Sequence, residues 1–288
     1  MTTKTTTEVQ TPQPVATQNA TPTPISEQQK LKNIFKSDVC KQQFAQILGQ
    51  KSAGFMSSVL AVVNNNELLK KATAPSVVNS ALIAATLDLP INPNLGFSAI
   101  VPYYDGKTRQ TIAQFQIMYR GMIQLAMRSG QVKTIIAEEV HEGELVSANK
   151  FTGEYVFDES ARISDKVIGY MAYLKLVNGF EKTLYMTIEE VQKHATQYSQ
   201  TFRKGFGVWK DNFSAMAKKT VTKLLLSKYA PLSIEMQRAM MFDQASIKGE
   251  VNVEDIDSTN VEYVDNQESA RASMLNDDIE DAEIVTEG

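Results

Sequence analysis

The chain reads as an α+β fold: an antiparallel sheet with hairpins packed against helices, behind a helical N-terminal third. Three observations predict it. Asp105-Gly106 and Asn178-Gly179 each lie between β-rich runs, a strong hairpin signal. Apolar residues recur at helical spacing through the first third of the chain, as an amphipathic helix requires. No strand–helix–strand series recurs at the spacing of a doubly wound fold, which argues against a parallel sheet.

The elements follow in order. Leu31, Ile34 and Phe35 begin one apolar stripe, and Phe44, Ile47 and Leu48 close the next before Gly49, a natural helix stop. Phe55, Val59, Leu60 and Val63 form a further helix ending at Asn64-Asn65-Asn66. Pro75 suits the first turn of another, running through Val78, Leu82 and Leu87. The two prolines of Leu89–Gly96 predict a loop. Ser98–Tyr104 and Arg109–Ile117 pair as the first hairpin, and Tyr119–Ser129 is a helix stopped by Gly130. Val132–Val140 and Glu154–Asp158 read as strands, and Val167–Val177 with Phe180–Met186 as the second hairpin. Thr187-Ile188-Glu189-Glu190 is a capping box, opening helices over 188–198, about 212–229 and 233–246.

Both ends differ in composition from the body. Residues 1–25 hold nine Thr, four Pro and three Gln, too little apolar surface to offset backbone entropy, so 1–29 is expected to be disordered. Residues 249–288 hold thirteen acidic side chains and one basic one, Arg271, a net −12. Taken from the overall −4, this leaves +8 on residues 1–248. The expected division is a disordered N-terminus (1–29), a folded domain (30–248) and an acidic, mostly disordered tail for partners (249–288). A basic body with an acidic tail suits polyanion binding, and a mildly basic domain beside a solvated tail is the plainer alternative.

Several function classes are disfavoured. No run approaches the roughly 18–20 apolar residues of a membrane span. No hydrophobic segment follows Met1, so no signal peptide is expected and the expected compartment is the cytoplasm. The single Cys40 agrees with a reducing compartment and reads as a packing residue. His141 and His194 share no metal-ligand spacing. Gly106-Lys107-Thr108 imitates the end of a P-loop, but the glycine that motif needs five residues earlier is Val101. Gly205-Phe206-Gly207 lacks the third glycine of a dinucleotide fingerprint, having Lys210 there. The acidic pairs Glu138-Glu139 and Glu189-Glu190 read as strand and helix-start residues, because neighbours on a strand point to opposite faces. No cofactor, metal or catalytic residue is expected.

The informative stretch is Thr201–Ala230. It carries Arg203, Lys204, Lys210, Lys218, Lys219, Lys223 and Lys228 against Asp211 alone, interleaved with Phe202, Phe206, Trp209, Phe213 and Tyr229. Lys and Arg neutralise phosphates, and bases stack on aromatic faces whatever their sequence. Phe213, Ala217, Val221, Leu224 and Leu225 form a buried stripe, with Lys219 and Lys223 one turn apart on roughly the opposite side. Like charges so placed cost ~0.2–0.5 kcal/mol, which a bound polyanion would remove; a solvated lysine face is the alternative. Trp209, in a glycine-flanked loop, is the stacking candidate. Lys107 and Arg109 sit at the first hairpin tip beside Tyr103 and Tyr104, and Arg120 and Arg128 near the two ends of the helix that follows. For Arg128 a helix-dipole role is the alternative.

Four stretches in order resemble the RecT family of phage recombinases: Leu89-Pro-Ile-Asn-Pro-Asn-Leu-Gly96, Phe115-Gln-Ile-Met-Tyr-Arg-Gly-Met-Ile-Gln-Leu-Ala-Met-Arg-Ser-Gly130, Met216-Ala-Lys-Lys-Thr-Val221 and Lys228-Tyr-Ala-Pro-Leu-Ser233. The similarity runs from about residue 30 to 245 and is nearest to RecT-like proteins of phages or prophages of Gram-positive bacteria. It implies an ATP-independent annealer of complementary single strands in homologous recombination, with no enzymatic step of its own. It also implies rings or helical filaments holding single-stranded or annealed duplex DNA in a basic groove, and a core resembling that of eukaryotic single-strand annealing recombinases. Implied partners are a 5′→3′ exonuclease and the host single-stranded-DNA-binding protein. On matching positions it points to Lys218, Lys219, Arg120 and Arg128 as DNA contacts; Lys107, Arg109, Lys210 and Lys223 come from charge and placement. A metal-dependent nuclease and an oligomeric phage structural or adaptor protein are the competing expectations.

Overall fold

The computed structural model describes residues 25–92, 94–149, 151–205, 207–247, 256 and 261–263. The expected disorder of the N-terminus therefore falls outside the described residues except at its end, and so does most of the acidic tail. Helix α1 (Glu27–Lys36) begins three residues ahead of the expected boundary at residue 30, because the Ser26 hydroxyl caps it by accepting from Gln29 N–H. Ser37 ends α1 and its hydroxyl caps α2 (Asp38–Leu48). Helices α3 (Ser52–Asn64) and α4 (Ala74–Thr86) complete the helical N-terminal third. Every residue from Asn79 to Ala85 is buried, the mark of a helix covered on all sides. It packs on α1, α2, α3 and the first hairpin. The Glu27 carboxylate accepts from Ala74 N–H at 2.8 Å, so α1 caps the start of α4.

The first hairpin joins β1 (Ser98–Asp105) to β2 (Gln110–Ile117), with Asp105 opposite Gln110. Helix α5 (Tyr119–Arg128) follows, seated so closely on the preceding loop that a Cβ on Gly121 would lie 2.0 Å from the Phe97 carbonyl oxygen. Strands β3 (Val132–His141), β6 (Val167–Leu176) and β7 (Glu181–Thr187) form an antiparallel sheet in the order β3-β6-β7. Between β3 and β6 lies a second, small sheet in which β4 (Leu145–Asn149) pairs with β5 (Glu154–Phe157). The residue pattern predicts β5 but not β4. All of β4 beyond Leu145 is exposed, so it lacks the buried face that produces a period-2 apolar signal.

The capping box forms as expected: Thr187 accepts from Glu190 N–H and the Glu190 carboxylate accepts from Thr187 N–H, opening α6 (Ile188–Tyr198). Two short helices, α7 (Gln200–Arg203) and α8 (Val208–Asp211), occupy what reads as a loop. Helix α9 (Phe213–Tyr229) lies on all three strands of the β3-β6-β7 sheet and also meets α5. Helix α10 (Ile234–Phe242) stops four residues before the expected end, because Asp243 is extended and Gln244 has φ 66°. Strand β8 (Ala245–Ile247) then pairs with β9 (Val261–Tyr263). Ile256 is 3% exposed and joins the core. Beyond the boundary expected after residue 248, Ile256 and Val261 supply apolar side chains that pack on the body.

Candidate nucleic-acid interface

The two lysines of the Ala-Lys-Lys-Thr stretch are sent apart by the helix that carries them. Lys218 points to the sheet margin, where its ammonium is 2.9 Å from Glu138 of β3. Burial lowers the Lys218 pKa, but the bond and charge of Glu138 outweigh it and leave the pKa raised. Beside this pair, Ser214 donates to Glu139. Lys219 turns inward and is only 5% exposed. Its ammonium lies 3.5 Å from the buried Asp243, whose other oxygen accepts from Lys223 at 2.7 Å. Asp243 also accepts from Ile117 N–H at 3.2 Å. Burial raises the Asp243 pKa, and the two ammonium groups overcome it and hold the carboxyl below its usual range. Burial drives Lys219 down, with Asp243 opposing in part.

Neither the DNA-facing lysine pair expected on α9 nor its alternative, a solvated lysine face, describes Lys219, which is buried, while Lys223 keeps a partly exposed side chain. The side of α9 opposite the sheet is covered by neighbouring structure, since Lys219, Thr220 and Thr222 are all buried. The charge repulsion between Lys219 and Lys223 is relieved by Asp243, so no external polyanion is required to relieve it. Asp243 stands 20 residues or more away in sequence, and no helical spacing announces it.

The two arginines of α5 fasten the Leu89–Gly96 loop at its two ends. Arg128 donates to the Leu87 and Asp88 carbonyls at 2.6 and 2.8 Å. Its guanidinium thus meets the C-terminal end of α4, where a cation complements the helix dipole. Arg120 reaches the Leu95 carbonyl at 3.5 Å and otherwise faces solvent. The proline-rich loop and the Tyr-Arg-Gly helix are therefore one structural unit.

At the first hairpin tip, the Asp105 carboxylate accepts from Lys107 N–H at 2.9 Å and from the Thr108 hydroxyl at 2.7 Å. This shapes the turn, and Arg109 takes φ 54°. Lys107, Arg109 and Tyr104 are all exposed. Trp209 differs from its expected place. It lies in α8, 7% exposed, with Phe202 and Phe213 at ring-centroid distances of 5.6 and 5.5 Å. An indole so enclosed packs the helix junction and offers no free face. Its neighbour Lys210 is exposed.

The structure also assembles a place that no single stretch of the sequence carries. Tyr155, Tyr185, Tyr229, Phe151 and Lys182 line a half-open groove of about 450 Å³ beside β5, β7 and the end of α9. Tyr155 and Phe157 alternate on one face of β5, a period-2 signal available in the sequence, but β7 and Tyr229 come from far along the chain. Among the described residues, no group of three or more His, Cys, Asp or Glu could hold a metal ion. Burial pushes the Cys40 thiol up to about 11, which suits packing rather than nucleophilic chemistry. Among the described residues no helix is long and apolar enough to cross a membrane.

The RecT family model matches residues 53–259. The chain is 46% identical over 211 residues to the uncharacterized protein YqaK of Bacillus subtilis (strain 168), covering 73% of this chain and 71% of that protein. It is 30% identical over 172 residues to protein RecT of Escherichia coli (strain K12), covering 59% of this chain and 62% of that protein. The family match spans most of the chain, from α3 to just short of β9. The chain belongs to the RecT family of DNA-annealing recombination proteins.

Proposed function

We propose that the protein binds single-stranded DNA and anneals complementary strands without ATP, as a ring or helical filament with DNA in a basic groove. Family membership carries this reading, and the +8 body supports it. Lys107, Arg109 and Lys210 are the exposed cations proposed to meet phosphates, with Arg120 and Lys218 at the margins. Lys219, Lys223 and Trp209 act from beneath, by holding the surface that carries them, and the exposed Arg128 acts by holding the end of α4 through the Leu87 and Asp88 carbonyls. The context is homologous recombination in a phage or prophage of a Gram-positive bacterium, inside the cytoplasm. A 5′→3′ exonuclease would expose the strands, and the C-terminal region would meet it or the host single-stranded-DNA-binding protein. The protein performs no bond-breaking step.

The test is annealing of two labelled complementary oligonucleotides without ATP, read by fluorescence transfer across salt and pH. Acceleration over the spontaneous rate is expected, with binding that weakens steeply as salt rises. Failure to accelerate under every condition overturns the proposal. Shortening of the labelled strands in magnesium or manganese would instead support a nuclease.

A further inference from the structure

The groove at β5, β7 and α9 combines features that an ordinary packing defect lacks. Tyr155, Phe157 and Tyr185 form a cluster with ring centroids 5.8–6.2 Å apart. The three tyrosines of the groove are only partly buried, so ring faces remain available. Phe151, at the turn between β4 and β5, is 90% exposed. Lys182 crosses the groove, with its ammonium 5.6 Å from the Tyr229 ring centroid and 3.1 Å from the Thr152 carbonyl. Among the described residues no carboxylate forms a salt bridge with it. Glu190 also lines the groove, but its carboxylate accepts from Thr187 N–H in the capping box. Lys228 adds an exposed cation beside Tyr229.

We propose that this groove receives an unstacked base of a single strand between its aromatic rings, with the Lys182 ammonium against the adjoining phosphate. The proposal rests on the DNA-binding reading above and deepens it. Aromatic faces stack on any base, so the site tolerates sequence, as an annealer requires. An ammonium already placed over an aromatic ring supplies positive charge to the groove, and among the described residues it is held in no salt bridge. A base in the groove cannot be paired. The site therefore favours the strand before annealing and releases it when the duplex forms, because duplex bases present their edges and keep their faces stacked.

The experiment compares Phe151→Ser, Tyr155→Leu and Lys182→Gln with the unaltered protein. Affinity is measured by fluorescence anisotropy for oligothymidylate and for a preformed duplex, over a range of salt. Urea unfolding confirms the fold. The two aromatic changes are expected to weaken oligothymidylate binding roughly fivefold or more, with duplex affinity unchanged. Lys182→Gln is expected to reduce the salt slope by about 0.7, the value for a single phosphate. Iodouracil-substituted oligothymidylate should photocross-link to Tyr155, Tyr185 or Phe151, a readout that stands even if Tyr155→Leu fails to fold. Unchanged oligothymidylate affinity in the folded variants overturns the proposal, as does an equal loss on duplex. Loss of assembly with DNA affinity retained would assign the groove to a second copy of the chain and also overturn it. If the unaltered protein neither binds nor anneals DNA, the broader reading fails; if it anneals and the variants match it, only the groove assignment fails.

Discussion

Asp243 shows how one residue can govern several elements. Its buried carboxylate joins Lys219 and Lys223 of α9 to the backbone of β2. Removing one member of a buried ion group leaves uncompensated charge, which costs about 3–5 kcal/mol. Asp243→Asn should lower stability by that amount in urea unfolding while leaving the exposed cations in place. His194 gives a second residue-scale prediction. Burial, and then the charge of Lys223, hold its pKa down to about 4, against 6.5 for the free side chain. Between those values the unfolded chain binds a proton that the folded chain refuses. Stability is therefore complete above about pH 6.5 and falls as pH drops toward 4. His194→Gln should remove this part of the acid slope, on the order of 2 kcal/mol after allowance for partial exposure. Comparing urea midpoints at neutral and acid pH checks it, and an unaltered slope would refute the assignment.

At the scale of elements, the first hairpin separates binding from folding. Its tip cations are exposed, whereas β1 and β2 contribute Ile100, Phe115 and Ile117 to the core. Lys107→Gln with Arg109→Asn should change stability by no more than about 0.5 kcal/mol. The same pair should flatten the salt dependence of single-strand binding by about 0.7 for each phosphate that is no longer neutralised. A folded double variant with an unchanged slope would remove the hairpin from the interface. The elements also show which signals are local. The Asp-Gly and Asn-Gly hairpins and the capping box were legible because turn and cap chemistry is carried by neighbouring residues. Strand β4 was not, since a strand exposed on both faces has no apolar alternation. The short helix α8 was hidden behind Gly205 and Gly207, whose positive φ values suggest only a loop.

On the scale of the whole molecule, the charge division and the fold division do not coincide. Pairing of β9 with β8 and burial of Ile256 bring part of the acidic tail onto the body. A chain ending at Lys248 should therefore lose stability, by roughly 1–3 kcal/mol for the buried apolar side chain alone. A chain ending at Tyr263 should keep the midpoint of the full protein and bind single strands as well or better, because the eight acidic residues beyond it are gone. Thermal unfolding together with anisotropy distinguishes the two. Equal stability of both shortened chains would show that β9 adds nothing to the fold.

The sequence by itself determined the α+β class, the helical N-terminal third, both glycine-turn hairpins and the segregation of charge. It also carried the four ordered motifs by which the family is recognised. These are local or additive properties, readable from spacing and composition. Only the tertiary structure decided which cations face water. Lys218 and Lys219 are adjacent in the chain, yet one lies at the sheet margin and the other in the core beside Asp243. Trp209, prominent as a lone tryptophan in a basic stretch, is enclosed by Phe202 and Phe213. Tyr155, Lys182 and Tyr229 stand far apart in sequence, and only Tyr229 falls in one of the four motifs, but they share one groove. The reason is physical: burial and charge pairing depend on what the rest of the chain brings to a residue, and that partner is often far away along the sequence.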